Sequence, residues 1–338
     1  MTTTATAGLS PRTVVQLPLT RRLAEQYLAN SVVPGVFEPS RMWGLCSRLV
    51  DVVKSGSGAR ARAYHGLAEA DFPVGDGLFV LRFQAHWPAL FRASFGGRST
   101  AGAARLGSTL VLPDPFLGTG YTNYAPVAVP EYWLELTDVP VGAEIWHLAE
   151  GRADDRGDDS AADSAANAAA EGAAEGGEQA LARYPGRYTG WHAFPAAGQL
   201  GLPSGRVAPA PAGSNPRGPV ATLQDSPHLA DFGPNPGEAT VYRPSGDGTM
   251  MSRQLEFEQC DDLSYRRLLA SWRGGRFEVL ASADRIATLA LTSGNAEEAA
   301  RLGLVPAGRH AWRAQVPVDE LTEVTEETRR IAADEPPA

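Results

Sequence analysis

The sequence predicts an α+β protein that contains two small, mainly antiparallel sheet domains. Three observations favour this class. Short stretches of alternating apolar residues recur in both halves of the 338-residue chain, as expected of half-buried strands. Near the N-terminus, apolar residues instead repeat every three or four positions, which is typical of helices. Between the halves, residues 151–180 contain no apolar side chain larger than alanine, so the chain is expected to fold on either side of a tether.

The N-terminal region is expected to hold a pair of helices. Residues 1–18 are predicted to be disordered. Thr20 can cap a helix that runs to Leu28, because the apolar side chains of this stretch follow helical spacing. A second helix is predicted from Ser40 to Val53, before a Ser-Gly repeat that would end it.

The rest of the N-terminal domain, which is predicted over residues 19–150, is expected to be a sheet. Strands are predicted at residues 77–85, 108–112 and 131–136. The segment 143–148 is expected to pair with the last of these strands as a hairpin, because a Val-Pro-Val turn separates the two.

A disordered linker is predicted over residues 151–182, followed by an extended segment rich in proline and glycine over residues 183–237. Residues 151–180 carry eight acidic side chains and two arginines, a net charge of −6. Such a segment cannot bury enough apolar surface to offset the conformational entropy that it would lose on ordering. Proteolysis is therefore expected to cut here first and to leave two folded cores.

The C-terminal domain is predicted over residues 238–328, with a disordered tail at residues 329–338. Residues 260–272 are expected to form a helix, and strands are expected to follow around the turn at residues 283–285. Short strands with tight glycine turns across residues 271–326 resemble small SH3-like barrel modules, although an intervening helix departs from that pattern. The resemblance implies a barrel-like shape and carries no function.

Short sequence matches link the two halves. The pentapeptide Ala-Ala-Arg-Leu-Gly occurs at residues 103–107 and again at residues 299–303. Val-Pro-Val likewise occurs at residues 139–141 and 316–318. Matching landmarks in the same order predict an internal duplication of one supersecondary unit. Chance is the alternative, because the residue types that match are frequent throughout this chain.

Composition argues against several classes of protein. The formal net charge is −9, so no basic face for nucleic acid is expected. No apolar run reaches the roughly 20 residues that a membrane helix needs, and no secretory signal is visible, so a cytoplasmic protein is expected. The histidines are dispersed, and Cys46 and Cys260 lie far apart, so neither a metal site, a disulfide nor a bound cofactor is predicted. A single lysine, Lys54, beside abundant arginine suggests a high-GC bacterial genome.

A long loop in the first domain is the leading candidate for a binding site. Residues 114–130 are rich in glycine, proline, threonine and tyrosine, and loops of this length are uncommon in compact domains. Phe116, Tyr121, Asn123 and Tyr124 can supply amphipathic contact area and adaptable hydrogen bonds. The leading hypothesis is a non-enzymatic recognition or assembly protein that binds an unidentified protein partner through this loop. The alternative is an ordered loop whose tyrosines only cover the sheet edge.

An enzymatic alternative centres on Tyr64 and His65. The Tyr-His-Gly motif at this point resembles the opening strand of one branch of ADP-ribosyltransferases, although Leu67 stands where that branch has a small hydroxyl residue. The resemblance implies that His65 would hold the ribose of NAD and that a later acid, Glu131 or Glu135, would polarise the scissile bond. A further alternative, based on acidity alone, is an immunity or antitoxin-like protein that neutralises a basic toxin.

Overall fold

Most of the described chain is built of strands, arranged in two antiparallel sheets with few helices. The protein is therefore sheet-rich, and α+β in the broad sense that the sequence predicts. The computed structural model describes residues 14–33, 45–49, 58–65, 67, 69–70, 72–84, 90–92, 132–134, 139–150, 177–205, 217–235, 237–246, 249–308 and 311–330.

Eight strands form the first sheet. In chain order they are β1 (Val14–Leu19), β2 (Leu45–Arg48), β3 (Leu78–Gln84), β4 (Leu90–Arg92), β5 (Tyr132–Leu134), β6 (Glu144–Leu148), β7 (Glu178–Arg183) and β8 (His192–Ala193). Side by side they run β4-β5-β2-β1-β3-β6-β7-β8, and every pair is antiparallel. Strands β1 and β3 lie in the middle of the sheet, which explains why most of their side chains are buried.

Ten strands form the second sheet. In chain order they are β9 (Gly218–Leu223), β10 (Ser226–Phe232), β11 (Glu238–Pro244), β12 (Met250–Glu256), β13 (Asp262–Trp272), β14 (Gly275–Ala283), β15 (Ile286–Leu291), β16 (Val305–Gly308), β17 (Ala311–Pro317) and β18 (Thr322–Arg330). Side by side they run β12-β11-β10-β9-β13-β14-β15-β17-β16, and β18 adds to β13 outside this order. These pairs are also antiparallel.

Short helices accompany the sheets, and within the described residues they are α1 (Arg21–Leu28), α2 (Gly58–His65), α3 (Pro195–Gln199) and α4 (Ala296–Arg301). The prediction for α1 is confirmed. Thr20 accepts a hydrogen bond from the amide of Leu23 at 3.1 Å and so caps the helix. Helical spacing then places Ala24, Tyr27 and Leu28 in the core. The predictions that correspond to β3, β5, β6, β14 and β15 are confirmed as well.

Two expectations for the N-terminal region are wrong. Residues 14–18, which were expected to be disordered, belong to β1, where Val15 and Leu17 are buried. Burial between two neighbouring strands offsets the entropy that this apolar run loses on ordering. The second helix, expected over residues 40–53, is replaced at Leu45–Arg48 by β2, which pairs with β1 and β5. Short apolar runs fit either period, and the neighbouring strands decide between them.

The predicted linker and extended segment contain regular structure. Glu178–Arg183, within the expected 151–182 linker, form β7, and the expected 183–237 extended segment contains β8, α3, β9 and β10. The carboxylate of Glu178 accepts hydrogen bonds at 2.8 and 3.1 Å from the buried guanidinium of Arg82 on β3. This ion pair holds Glu178 in the sheet, although composition alone placed that residue in the disordered linker. Linker residues before position 177 lie outside the described residues.

The hairpin predicted between residues 131–136 and 143–148 is not formed. β5 pairs with β2 and β4, whereas β6 pairs with β3 and β7. Both strands exist at the predicted positions, so the error concerns pairing and not element type. The hairpin was expected because the two strands are close in sequence. Strand β6 instead pairs with β3, which is more buried.

The helix predicted at residues 260–272 is instead β13, an eleven-residue strand. It pairs with β9, β14 and β18, and most of its side chains are buried. A strand buried on both faces shows no clean polar alternation, so its apolar residues also fit a helical period. Strand β18 extends to Arg330 and so overlaps the tail that was expected to be disordered from residue 329, because pairing with β13 orders it.

The second sheet does not close into a barrel. Across residues 271–326 the described strands run β18-β13-β14-β15-β17-β16, and the outer strands β18 and β16 are not paired with each other, so the SH3-like barrel that this segment suggested is not formed. The two segments that resemble each other in sequence contribute β3 and β14, and each has neighbours on both sides. Internal duplication stays a prediction.

The two sheets share a hydrophobic core. This core combines Leu17 and Leu81 of the first sheet with Ala221, Phe232 and Val241 of the second. A separate cluster packs α4 on strands β13, β14, β15 and β17. Because the shared core fixes the first sheet and α1 against the second sheet, residues from both halves of the chain meet along this junction. Among the described residues, no helix combines the length and the apolar character needed to cross a bilayer.

Candidate functional site

A cavity of about 360 Å³ lies where the first sheet and α1 meet the second sheet. Its walls come from the end of α1, the segment after β7, the beginning of β9, the end of β10, and the strands β14, β15 and β17. The volume is at the lower end of the range that is typical of ligand sites. We therefore treat this cavity, called the cleft below, as the candidate site.

One wall of the cleft is aromatic. Trp191 contacts Tyr27 with ring centroids 5.7 Å apart and Tyr184 with ring centroids 5.2 Å apart. The buried face of α1 supplies Tyr27, and the segment after β7 supplies the other two rings. Tilted aromatic pairs stabilise one another in addition to the effect of burial. Since Tyr27 and Trp191 are both only 3% exposed, this wall is formed by the core itself.

The floor of the cleft is a buried network around Asp231. Its Oδ1 atom accepts a hydrogen bond from Nε of Arg187 at 2.7 Å. Its Oδ2 atom accepts hydrogen bonds from the backbone amide of Arg187 at 2.9 Å and from the hydroxyl of Tyr242 at 2.7 Å. These three donors satisfy the carboxylate, as the burial of a charged group requires. We call Asp231, Arg187 and Tyr242 the Asp231 network.

Two glycines make room for the Asp231 network. Gly218 has a φ of +113°, and a Cβ atom at this position would lie 2.5 Å from Nη2 of Arg187. Gly186 has a φ of +135°, and a Cβ atom there would collide with the hydroxyl of Tyr242. Glycine alone combines this backbone conformation with the absence of a side chain, so both positions are required by the network.

Burial and charge pairing determine the protonation states of Tyr242 and Arg187. Burial raises the pKa of Tyr242 above its ordinary value, and the Asp231 carboxylate raises it further. Burial by itself lowers the pKa of Arg187, but the Asp231 carboxylate and the neighbouring tyrosines raise that pKa by more, so it lies above its ordinary value. Tyr242 is therefore a neutral donor and Arg187 a cation at physiological pH.

A second buried network holds Arg217 at the edge of the cleft. Its Nε atom pairs with Glu278, whose side chain is 0% exposed, and its Nη2 atom donates to the hydroxyl of Tyr265. The guanidinium also lies over the ring of Tyr265, 5.6 Å from the centroid. The carbonyl of Arg217 accepts a hydrogen bond from Nη1 of Arg187 at 3.0 Å, which joins the two networks. Buried pairs of this kind are costly to break, because each partner is left as an uncompensated charge.

A polar wall of the cleft comes from the second sheet. Ala281, Thr288 and Gln315 are direct neighbours across β14, β15 and β17, and all three line the cleft. Arg313 precedes Gln315 by two positions, and both line the same cavity from β17. Arg313 is half-buried, and within the described part of the chain its side chain has no ion-pair or hydrogen-bond partner.

The side chains that line the cleft are suited to binding. Among the described lining residues there is no histidine or cysteine, and the carboxylate of Asp231 already accepts three hydrogen bonds. Both oxygens of Asp231 are engaged by donors that hold the Asp231 network together, so we assign this carboxylate a structural role. Across the described ranges, no group of three or more His, Cys, Asp or Glu residues could hold a metal ion. The cleft instead offers aromatic contact, hydrogen bonds and a positive charge.

The residues predicted from the sequence do not line this cleft. Those of the loop and both candidate acids lie outside the described residues, namely Phe116, Tyr121, Asn123, Tyr124, Glu131 and Glu135. Tyr64 and His65 end helix α2, whereas the resemblance implied an opening strand. Cys260 is a free thiol whose pKa is raised by burial and by the nearby acids Asp261 and Glu258, which makes it a poor nucleophile.

The residues that do form the cleft were missed for a physical reason. Arg187 and Asp231 lie in the stretch interpreted as extended chain, and Arg313 is one arginine among many. The one available signal was Asp231, a lone acid between Leu-Ala and Phe-Gly, because an acid in such a strand needs a partner. Nothing in the sequence identifies that partner. Comparisons with protein-family models, curated proteins and solved structures gave no match to this chain.

Proposed function

We propose that the chain is a cytoplasmic, non-enzymatic recognition or assembly protein that binds another protein, and that the cleft receives part of that partner. One observation supports this above all. A cavity formed by the core presents an aromatic wall, a row of polar side chains and Arg313, which has no partner among the described residues. Ligand sites combine apolar surface with a few polar groups that fix orientation.

The roles of the polar groups also support binding. Turnover would require an acid, a base or a nucleophile that faces the ligand. Tyr242 donates to Asp231, and both oxygens of that carboxylate accept hydrogen bonds from the network, so we assign both residues a structural role. Thr288, Gln315 and Arg313 are left to contact a ligand, and their chemistry is that of hydrogen bonds and charge.

The 114–130 loop belongs to this proposal as a second contact surface. Tyr121 and Tyr124 are the side chains expected to carry the contact area, because tyrosine loses little entropy when it binds. If loop and cleft engage the same partner, each raises the effective concentration for the other. Replacing both tyrosines with alanine should then weaken partner binding without lowering the thermal stability, whereas loss of folding would make the loop structural.

The NAD-consuming alternative gains no support from the geometry. Tyr64 and His65 lie at the end of a helix, and the side chains of Glu131 and Glu135 lie outside the described residues. Calorimetric titration with millimolar NAD decides the matter, because a folded protein that gives no heat does not bind the cofactor. The antitoxin-like alternative rests on net charge alone and assigns no residue.

Site-specific photocrosslinking in the native host tests the proposed function. A benzophenone amino acid at Gln315 places the crosslinker in the cleft, because this exposed residue lines it. Arg253, an exposed residue of β12 that does not line the cleft, is the matched control position. We expect one protein to crosslink from Gln315 and not from Arg253. Equal products from both positions, or none from Gln315, would contradict a binding role of the cleft.

A filled cleft provides a second control. Ala281→Phe adds a ring to the cleft at the β14 end of the row formed by Ala281, Thr288 and Gln315. If the cleft receives the partner, this variant should fold and should lose the Gln315 crosslink. A filled variant that keeps the crosslink would place the partner on the surface and outside the cleft.

A further inference from the structure

We infer that the group that enters the cleft is a carboxylate joined to an apolar or aromatic side chain, as at the C-terminus of a protein chain, and that Arg313 binds it. This inference rests on the proposed function. It names the chemical group of the partner protein that the cleft would recognise.

The charges around the cleft carry the first step. Arg187 is neutralised by Asp231, and Arg217 is neutralised by Glu278, in two buried ion pairs. Arg313 has no such partner among the described residues, although it is half-buried. A guanidinium that has lost part of its hydration gains from an anion that replaces the lost water. The polar wall therefore has one positive charge to offer to a ligand.

The strand register carries the second step. Gln315 follows Arg313 by two positions and lies directly opposite Thr288 of β15, and all three line the cleft. The guanidinium presents a fork of parallel N–H groups that matches both oxygens of a carboxylate. The amide of Gln315 and the hydroxyl of Thr288 can bond to the last peptide group of a chain. Capture of a terminal carboxylate is a recurring mode of peptide recognition.

The apolar lining specifies what accompanies the carboxylate. Val33, in the segment after α1, packs in a small cluster with Leu280 of β14, and both line the cleft. The aromatic wall around Trp191 lies in the same cavity. Such surfaces bind aromatic and aliphatic side chains. A volume of about 360 Å³ admits the end of a chain and excludes a helix, which is about 10–12 Å across.

A single available guanidinium favours a carboxylate over a phosphate. A phosphomonoester carries about −1.5 to −2 charges at neutral pH, so its binding needs more than one cation. The other arginines of the lining are held by Asp231 and Glu278, and none of the described residues that line the cleft is a lysine. The single negative charge of a carboxylate matches Arg313.

Calorimetry with short peptides tests the inference on the full-length chain. The probes are N-acetylated tetrapeptides of three alanines followed by phenylalanine, tryptophan or leucine, each as the free acid and as the C-terminal amide. N-acetylphenylalanine and 3-phenylpropionate represent small carboxylic acids. We expect at least one free-acid tetrapeptide to bind about 10- to 100-fold more tightly than its amide, because the amide lacks the charge-assisted hydrogen bonds.

Variants assign the preference to one residue. Arg313→Gln should weaken binding of the acid to the level of the amide. Arg313→Lys should keep part of the preference, because lysine retains the charge but not the fork. Arg253→Gln removes an exposed arginine that does not line the cleft and should keep the full preference. Thermal unfolding of each variant confirms that it is folded.

The outcomes separate the inference from the proposed function. If the small acids bind as tightly as the tetrapeptides, the carboxylate chemistry holds and its source is a small molecule. Equal binding of acid and amide, or no binding of any probe at millimolar concentration, overturns the inference. If the inference fails but Gln315 still crosslinks to a partner, the cleft remains a binding site for a partner of different chemistry. If the Gln315 crosslink is absent as well, the proposed function itself is overturned.

Discussion

The floor and the polar wall of the cleft use the same side chain in opposite ways. Arg187 on the floor and Arg217 at its edge each pair with a buried carboxylate. Their hydrogen bonds join β10, β14 and the residue before β9 to the segment after β7. We count both arginines with the floor. On the wall, Arg313 projects from β17 without a partner among the described residues. The residue type alone therefore does not reveal the role of an arginine in this cleft. An arginine that is paired with a buried carboxylate is structural, and one without such a partner is available for binding.

This difference has an energetic meaning. A buried ion pair adds little compared with well-packed apolar residues, but loss of one partner leaves an uncompensated charge in a medium of low polarity. A half-buried arginine without a partner loses only part of its own hydration when the chain folds, so its cost in stability is small. Its N–H donors stay available to a ligand. Substitutions on the floor should therefore change stability, and substitutions on the wall should change binding.

Removal of the floor carboxylate should have the largest effect. Asp231→Ala leaves Arg187 as an unpaired buried cation and removes the acceptor of Tyr242, so we expect a loss of about 3–5 kcal/mol in the free energy of unfolding, measured by urea denaturation. Asp319→Ala is the control. Its carboxylate is 69% exposed and lies 3.9 Å from Arg285, so its loss should cost less than about 1 kcal/mol. Equal losses would remove the distinction between buried and exposed pairs.

The aromatic wall should behave like the floor, because it belongs to the shared core. Trp191→Ala removes a ring that is 3% exposed and contacts two tyrosines. We expect a loss of about 3–4 kcal/mol in the free energy of unfolding. Ile286→Ala, at a side chain that is 42% exposed, should cost less than about 1 kcal/mol. A small effect of Trp191→Ala would mean that this wall is not part of the core.

Two neighbouring tyrosines offer a matched pair. Tyr242→Phe removes a hydrogen bond to the Asp231 carboxylate and should cost about 1.5–3 kcal/mol. Tyr188→Phe should be close to neutral, because the buried Tyr188 hydroxyl has no hydrogen-bond partner among the described residues. The two rings pack edge to face with centroids 4.8 Å apart, and both substitutions keep this ring contact. Similar losses from both variants would show that packing, and not the hydrogen bond, determines the effect.

High pH should weaken the floor. Burial, and then Asp231, raise the pKa of Tyr242 in the folded protein above the value of about 10 that it has when unfolded. Only the unfolded chain can then release this proton near pH 10, so the stabilisation is complete below that pH and is lost as the pH rises above it. Denaturation midpoints measured from about pH 8 to pH 11 should fall more steeply for the natural protein than for Tyr242→Phe. Identical slopes would contradict the raised pKa.

The wall should show the smallest effect on stability. Arg313→Gln breaks no ion pair or hydrogen bond among the described residues, so the free energy of unfolding should change by less than about 0.5 kcal/mol. The same variant should lose the preference for carboxylate ligands. A large loss of stability would mean that Arg313 has a structural partner and belongs with the floor arginines.

The fold was predictable from the sequence where local pattern and tertiary packing agree. Helix α1 carries a cap at Thr20 and a single apolar face, and strand β3 begins with an apolar run at residues 78–81 that follows a turn, so both are visible in the sequence. Strand β13 was not, because neighbours on several sides bury most of its residues and erase the alternation. Position within the sheet, which the sequence does not state, decides such cases.

The candidate site was less predictable than the fold. Asp231 and Arg187 are separated by 44 residues along the chain, and they meet only because β10 ends beside the segment that follows β7. Composition also assigned Glu178 to the tether, although Arg82 of β3 binds it. Charged residues acquire their roles from partners, and the strand order that brings those partners together cannot be derived from spacing.

Nuclear magnetic resonance of the arginine side chains can decide whether Arg313 binds a carboxylate. In protein labelled with ¹⁵N-arginine, the Nε–H signal of Arg313 is the one absent from Arg313→Gln. We predict that this signal shifts when a free-acid tetrapeptide is added and stays in place with the amide. The signals of Arg187 and Arg217 should not move, because their donors are held by Asp231 and Glu278. Equal shifts with acid and amide, or shifts at Arg187 and Arg217 without one at Arg313, would contradict the division between floor and wall.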